Sequence, residues 1–276
     1  MAFLAEVGEA VEDLDLAAVD QARPARGHSR RPNALGHRRT PLDRGEDDRI
    51  EPVDLDAQEY RGETWIGYDV FEDNIEGEGI QGLWLDHLAR RVGVDVANAA
   101  INGDTNLANV GQENKLLRKQ DGWMKLASTH VVDADGQNVS EDVLGDAVEA
   151  MPAKYMTADV SAMRLFVQYK LGLNWRRQVA RRGTAVGDAA LVNSGIPDYA
   201  GIPIVGDNVI KTSNNLTKGL FCNPKNALIG FWRDIKIEMF KDITIQSYKV
   251  VISCRFAVNY FNPDAVVRVD NVRPMR

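Results

Sequence analysis

The chain has 276 residues, 44% of them apolar and 26% charged, which is the make-up of an ordinary soluble globular protein with room for one large or two modest cores. Its 33 basic and 40 acidic side chains leave a formal charge of −7, which argues against a dedicated nucleic-acid reader, and no apolar run approaches the ~18 residues of a membrane span. Cys222 and Cys254 are too few and too far apart for a disulfide scaffold or a zinc site, and read as buried, reduced thiols of a protein made in a cytoplasm.

The N-terminus, MAFLAEVGEAVEDL, lacks the basic start of a secretory signal. Residues 3–20 space Leu4, Val7, Val11, Leu14 and Ala18 along one side of a predicted short amphipathic helix. Between 21 and 49 the texture changes. Eight arginines, three prolines, three glycines and two histidines surround only two large apolar residues, Leu35 and Leu42, too little to order a segment by burial. This part reads as an arm or linker. From Glu59 to Phe71 the alternation of Thr64, Ile66, Tyr68 and Val70 predicts a strand, one side of a long two-stranded hairpin.

An acidic stretch with Glu72, Asp73, Glu76 and Glu78 leads into a predicted helix of about 24 residues. Ile80, Trp84, Leu88, Val92, Val96 and Ala100 recur every four positions, flanked by Leu83, His87 and Ala99, and such a helix is a rod of roughly 36 Å. Glu76 and Glu78 suit its N-terminus, and Asn102-Gly103 should end it in a left-handed turn. Gly77-Glu78-Gly79-Ile80-Gln81-Gly82 matches the GxGxxG pattern of dinucleotide sites, with Asp104 about 20 residues on. The context opposes that assignment. No buried apolar strand precedes the glycines, two glutamates would sit where a pyrophosphate must, and no second strand presents Asp104 to a ribose.

Residues 115–132 carry no clear periodicity. Ser140 caps a helix that runs to Met151, with Glu141 and Asp142 in its first turn. A short strand is predicted at 154–158, and a helix from Asp159 to Leu171 carrying Met163, Phe166, Val167 and Lys170. Arg176, Arg177, Arg181 and Arg182 then form a cationic cluster, either a solvated or subunit-facing helix side or a contact for packaged DNA or an acidic neighbour. Tyr199-Ala200-Gly201-Ile202-Pro203 precedes a strand at 202–205.

From Ala227 the pattern becomes two-residue alternation. Ile235, Ile237 and Met239 alternate with Lys236 and Glu238, and Val250, Ile252, Cys254, Phe256, Val258 and Tyr260 form one row of a longer strand. This predicts half-buried antiparallel strands with one face on a core and one on solvent or a neighbour. Arg233, Asp234, Lys236 and Glu238 are either exposed sheet charges or pairs across subunits around a symmetry axis. Asn262-Pro263-Asp264 forces a turn before a last short strand, Ala265 to Val269. Trp84, Trp175 and Trp232 read as core or interface anchors. His28, His37, His87 and His130 share no metal or catalytic spacing with cysteine or carboxylate, and neither a nucleophile elbow nor a phosphate loop occurs, so no catalytic, cofactor or metal residue is assigned.

Three of these segments together carry a resemblance: Phe71–Asp104, Tyr199–Val205 and Ala227–Arg276. In that order and spacing the chain resembles the tailed-bacteriophage major capsid proteins of the Hong Kong 97-type fold. The resemblance implies an α+β fold with six parts: an N-terminal arm (1–49), an extended loop (50–76), a peripheral domain with the spine helix (77–137), an axial domain (138–232), further peripheral strands (233–261) and a return to the axial domain (262–276). It implies self-assembly as pentamers and hexamers into an icosahedral shell enclosing double-stranded DNA, with scaffolding, portal and decoration proteins as partners, no cofactor and no enzymatic activity. The shell would belong to the virion and be assembled in the host cytoplasm, and the short arm suggests a mature form or a separate scaffolding protein. An encapsulin-like nanocompartment shell is the alternative with the same fold, and a dinucleotide-binding enzyme the remote one. Candidate interface residues are Glu72, Asp73, Glu76, Glu78, Arg176, Arg177, Arg181, Arg182, Arg233, Asp234 and Glu238. Some relatives weld subunits through a lysine on the extended loop, yet no lysine precedes Lys115 here.

Overall fold

In the computed structural model, residues 53–72, 79–156, 160–192 and 195–274 are described. The predicted helix at 3–20, the arm, and Asp73, Glu76 and Glu78 lie outside them.

The chain opens with β1 (Gln58–Gly67), followed by a short helix α1 (Tyr68–Glu72) and the long helix α2 (Gly79–Asn102). Short helices α3 (Gly111–Leu117) and α4 (Trp123–Leu126) and strand β2 (His130–Asp133) lead to α5 (Glu141–Glu149). Then come β3 (Arg164–Gln168), α6 (Tyr169–Ala180), α7 (Ala185–Val192), β4 (Ile204–Asp207), β5 (Thr212–Ser213) and β6 (Leu216–Cys222). The chain closes with β7 (Ala227–Asp242), β8 (Ser247–Tyr260) and β9 (Val266–Val272).

Two sheets organise these elements. The first is three-stranded and antiparallel in the order β1-β8-β7, and the second runs β2-β9-β6-β3-β4, with β5 on β6. The second is mixed, since β2 pairs parallel with β9 and β3 parallel with β4. It also separates two cores. Phe166 of β3, Leu220 and Cys222 of β6 and Val266 of β9 face a core shared with α2, α4 and the first sheet. Their neighbours Leu165, Val167, Phe221, Val267 and Val269 face a second core with α5 and α6. Side-chain alternation along each central strand thus serves both cores at once.

Several expectations hold. Helix α2 covers the predicted 24 residues, Ser140 Oγ accepts from the Val143 amide at 3.3 Å as the cap of α5, and the Val250-to-Tyr260 row of β8 is buried throughout. The Asn262-Pro263-Asp264 turn is held by its own first residue, whose side chain accepts from the Asp264 amide at 3.0 Å and whose backbone amide donates to Asn226 Oδ1 at 2.7 Å. Ala200 and Gly201 both adopt positive φ in a tight turn closed by two Tyr199–Ile202 backbone hydrogen bonds, which delivers the chain into β4.

Others are corrected. The segment predicted as a helix from Asp159 to Leu171 contains the buried strand β3, and α6 begins only at Tyr169. A contiguous run such as Leu165-Phe166-Val167 suits a strand buried on both faces as well as a helix, and its place between β6 and β4 decides. The strand predicted at 154–158 begins instead as a 3₁₀ turn at Ala153–Tyr155. The strand predicted from Glu59 to Phe71 ends at Gly67, so Tyr68 and Val70 belong to α1. Its partner is no hairpin neighbour but β8, in register from Gln58↔Phe256 to Gly67↔Ser247. Gly103 does end α2, but without positive φ. It is required because a Cβ there would stand 2.5 Å from the Gln120 carbonyl and 2.9 Å from the Gly122 nitrogen.

Candidate subunit interface

The long sheet has two unlike faces. Its inner face buries Tyr60, Ile66, Val250, Cys254 and Phe256, of which Tyr60, Cys254 and Phe256 share a core with α2. Tyr60 stacks on Phe256 at 4.7 Å between centroids. Its outer face is a ladder of charges: Arg233 pairs with Glu59 at 2.8 Å, Lys249 with Glu63 at 2.8 Å, and Arg255 Nε donates to the Ala57 carbonyl at 2.8 Å. The Lys249 hydrogen bond is the main reason the Glu63 carboxyl sits below its usual range. Such exposed pairs add little stability each, so this face is written for solvent or for another protein surface.

Strand β7 departs most from expectation. The apolar members of its alternation were to lie on a core, yet Trp232 is 76% exposed and Phe240 64%, and Phe231, Ile235 and Met239 are exposed as well. Register shifts between Phe231 and Arg233, and again between Arg233 and Lys236, mark two bulges that break the phase. Beyond them β7 pairs regularly with β8 from Lys236↔Ser253 to Asp242↔Ser247. At the tip, Ile243 is 77% exposed and Ile245 also stands in solvent, in a turn whose Asp242 side chain accepts from the Thr244 amide at 2.9 Å. Trp65 and Val70 join this apolar end. A turn reading Asp-Ile-Thr-Ile-Gln was the signal that sequence reasoning passed over, because hairpin turns ordinarily carry polar residues.

Helix α2 is divided in the same way. Val96, Ala97, Ala99, Ala100 and Ile101 are buried, whereas Trp84, Leu85, Leu88 and Val92 are half-buried and Leu83 is 59% exposed. Ile80, the first residue of the predicted stripe, lies outside the described side chains. An apolar cleft of about 150 Å³ lies between the helix and the sheet, lined by Leu88, Val92, Val96, Tyr60, Ile252 and Cys254.

At its C-terminal end α2 is pinned by a polar knot. Lys125 Nζ donates to Asp104 at 2.7 Å, to Asp121 at 2.8 Å and to the Thr105 hydroxyl at 3.0 Å. Burial pushes both carboxyls up, but the Lys125 hydrogen bonds and backbone amides outweigh it and hold them below the ordinary value. Asp104, the acidic residue that follows the GxGxxG pattern, is thus engaged by this lysine.

The predicted cationic cluster is split by the fold. Arg176 Nε donates to the Ala190 carbonyl at 2.9 Å, and Arg182 pairs with Glu141 and lies over the Trp175 ring. Arg177 and Arg181 are exposed, without an ion-pair partner among the described residues. Arg233 is engaged by Glu59 within its own chain, while Asp234 and Glu238 are exposed on β7. Glu72 ends α1, its side chain lying outside the described set. Of the tryptophans, Trp175 is a core residue whose Nε1 donates to the Pro197 carbonyl at 2.9 Å, and Trp232 is a surface one.

Among known proteins, the chain is 30% identical over 229 residues to YqbE of Bacillus subtilis (strain 168), named as a prophage capsid protein; the match takes in 80% of this chain and 71% of that one. The subunit of the satellite phage P4 procapsid, solved with its size determination protein, superposes with a TM-score of 0.64 at 11% identity, covering 91% of this chain and 82% of the other. The SrpI encapsulin of Synechococcus elongatus PCC 7942 superposes at 0.53 with 12% identity, covering 80% and 75%. At such identities the last two speak for the fold alone. No protein-family model matches the chain.

Proposed function

We infer how this protein works from one premise: the chain belongs to the phage major capsid proteins of the Hong Kong 97-type fold. It is a structural protein of the virion, and its copies assemble into the capsid shell. The observation that carries the mechanism is the apolar surface left outside both cores, on β7, on the β7–β8 tip and on the N-terminal half of α2. Exposed apolar patches of that extent mark contacts with other proteins. In a shell made of one chain, those proteins are first of all further copies.

On this reading α2 and the three-stranded sheet form the peripheral part of the subunit, and the six-stranded sheet with α5 and α6 the axial part. Pentamers and hexamers form around the axial part. The outer charge ladder, Asp234 and Glu238, and the exposed Arg177 and Arg181 lie in contacts between neighbours or against the enclosed double-stranded DNA. Individually weak contacts suffice because each subunit makes many of them at once. Scaffolding and portal proteins are the expected assembly partners in the host cytoplasm, decoration proteins are further candidates, and no step calls for a cofactor or for enzymatic chemistry. The B. subtilis relative, at 30% identity, favours a phage shell over a nanocompartment, since the encapsulin likeness rests on fold alone.

The test is sedimentation and negative-stain microscopy of the purified chain, with and without a co-expressed scaffolding protein. Capsomers or closed shells are expected. A compact monomer under every condition and concentration would overturn the reading.

A further inference from the structure

Strand β7 is an edge of the three-stranded sheet, bonded to β8 alone among the described strands. One of its two rows of backbone groups is therefore open along a stretch whose side chains are mostly exposed. Natural edges are usually short, covered or heavily charged, and this one runs through Trp232, Ile235, Met239 and Phe240. The pattern within it is more telling than its exposure. Ile235-Lys236-Ile237-Glu238-Met239 is symmetric in polarity and antisymmetric in charge about Ile237. Lys236 and Glu238 are both exposed, and neither has an ion-pair partner among the described residues.

We propose that β7 pairs antiparallel with β7 of a second copy across a two-fold axis at Ile237, continuing the sheet from one subunit into the next. In that register Ile235 lies opposite Met239 of the second copy and Lys236 opposite Glu238 of the second copy, and the symmetry repeats both pairs. Apolar residues meet apolar ones, and opposite charges meet twice. A shift by one residue would set Lys236 opposite Ile237 of the second copy and lose every match. The second bulge, which takes in Asp234 and Ile235, bounds this short run on its N-terminal side and leaves Trp232 to another contact. The subunit's own tip cannot fill this place, because β7 and β8 already hold each other along their length.

This inference rests on the shell reading, and the experiment separates the two. Lys236→Glu sets like charges opposite one another twice in each contact, and so does Glu238→Lys. Each single reversal is expected to raise the subunit concentration needed for shells by roughly tenfold or more, with the subunit's circular dichroism and denaturant midpoint unchanged. The double reversal restores two opposite pairs and should return assembly to near the wild-type level. Backbone amides of 235–239 that exchange hydrogen quickly in free subunits should be protected in shells. Wild-type shells accompanied by single reversals that assemble equally well, or by a double reversal that stays defective, would overturn the two-fold pairing and leave the shell function standing. A wild-type chain that never assembles would overturn both.

Discussion

At the scale of single residues, two glycines that meet where α2 ends leave no room for a side chain. A Cβ on Gly103 would collide with the backbone of Gln120 and Ala99, and one on Gly122 would stand 2.5 Å from the Gly103 nitrogen and 2.7 Å from the Ala100 carbonyl. These nearest obstacles are all main chain, which cannot step aside as a side chain can. Gly103→Ala and Gly122→Ala should each lower stability by about 2–4 kcal/mol, read as a fall in the urea midpoint. Gly62→Ala, in open space on β1, should leave it nearly unchanged. The Lys125 knot beside these glycines has a defined pH window. Asp104 and Asp121 titrate below their ordinary 3.8, so their contribution is whole above that value and is lost as pH falls through the lowered folded values. Lys125 titrates above its ordinary 10.5, so its contribution is whole below 10.5 and lost above it. The midpoint difference between wild type and Lys125→Met should therefore be full at neutral pH and shrink in acid. The thiols make a third residue-level prediction. Burial pushes Cys222 up to about 12 and Cys254 upward too, so neither should react with a thiol reagent at neutral pH until the protein unfolds.

At the scale of elements, what could be read from the sequence depended on how much of the answer was local. Helix α2, the cap of α5 and the Asn262 turn follow from periodicity, a hydroxyl cap and proline, all of which act within a few residues. The buried row of β8 was legible because one face of it meets a core along its whole length. Strand β3 was not, because its identity depends on β4 and β6, which pair with it from about 40 to 60 residues away. The interface was half legible. Charges on β7 were noticed, but apolar residues there were assigned to a core, since alternation reports burial without saying whether the same chain or a neighbour supplies it. The split of the arginines was invisible too, because the groups that engage Arg176 and Arg182 come from α7 and α5. Helix α2 gives the distinction a test. Leu83→Asp, on its exposed half, should change subunit stability by less than about 0.5 kcal/mol while impairing assembly, whereas Ala100→Asp, fully buried, should prevent folding. Equal effects of the two on monomer stability would mean that the N-terminal half packs within its own subunit.

At the scale of the whole molecule, the shell needs cohesion from somewhere, and the sequence limits the choice. An isopeptide weld needs an amine on an element that reaches a neighbour, and the first 114 residues contain no lysine. Of the three lysines of the long sheet, Lys249 pairs with Glu63 and lies over Trp65, Lys241 lies over Tyr68, and Lys236 faces Glu238 of the second copy in the proposed β7 pairing. Both cysteines are buried in one core, so disulfides between subunits are also closed to the native fold. What remains is non-covalent: apolar area on β7, its tip and α2, with exposed ion pairs each contributing no more than about 1 kcal/mol and weakening with salt. Such a shell gains its permanence from the number of contacts per subunit, because a subunit leaves only when all of its contacts open together. Boiled particles on a denaturing gel should therefore run as a single monomer band with or without reductant, and concentrated denaturant without any protease should return subunits. A ladder of dimers to hexamers that survives boiling and reductant would show covalent welding from lysines at or beyond Lys115, and would move the source of cohesion away from the apolar surfaces.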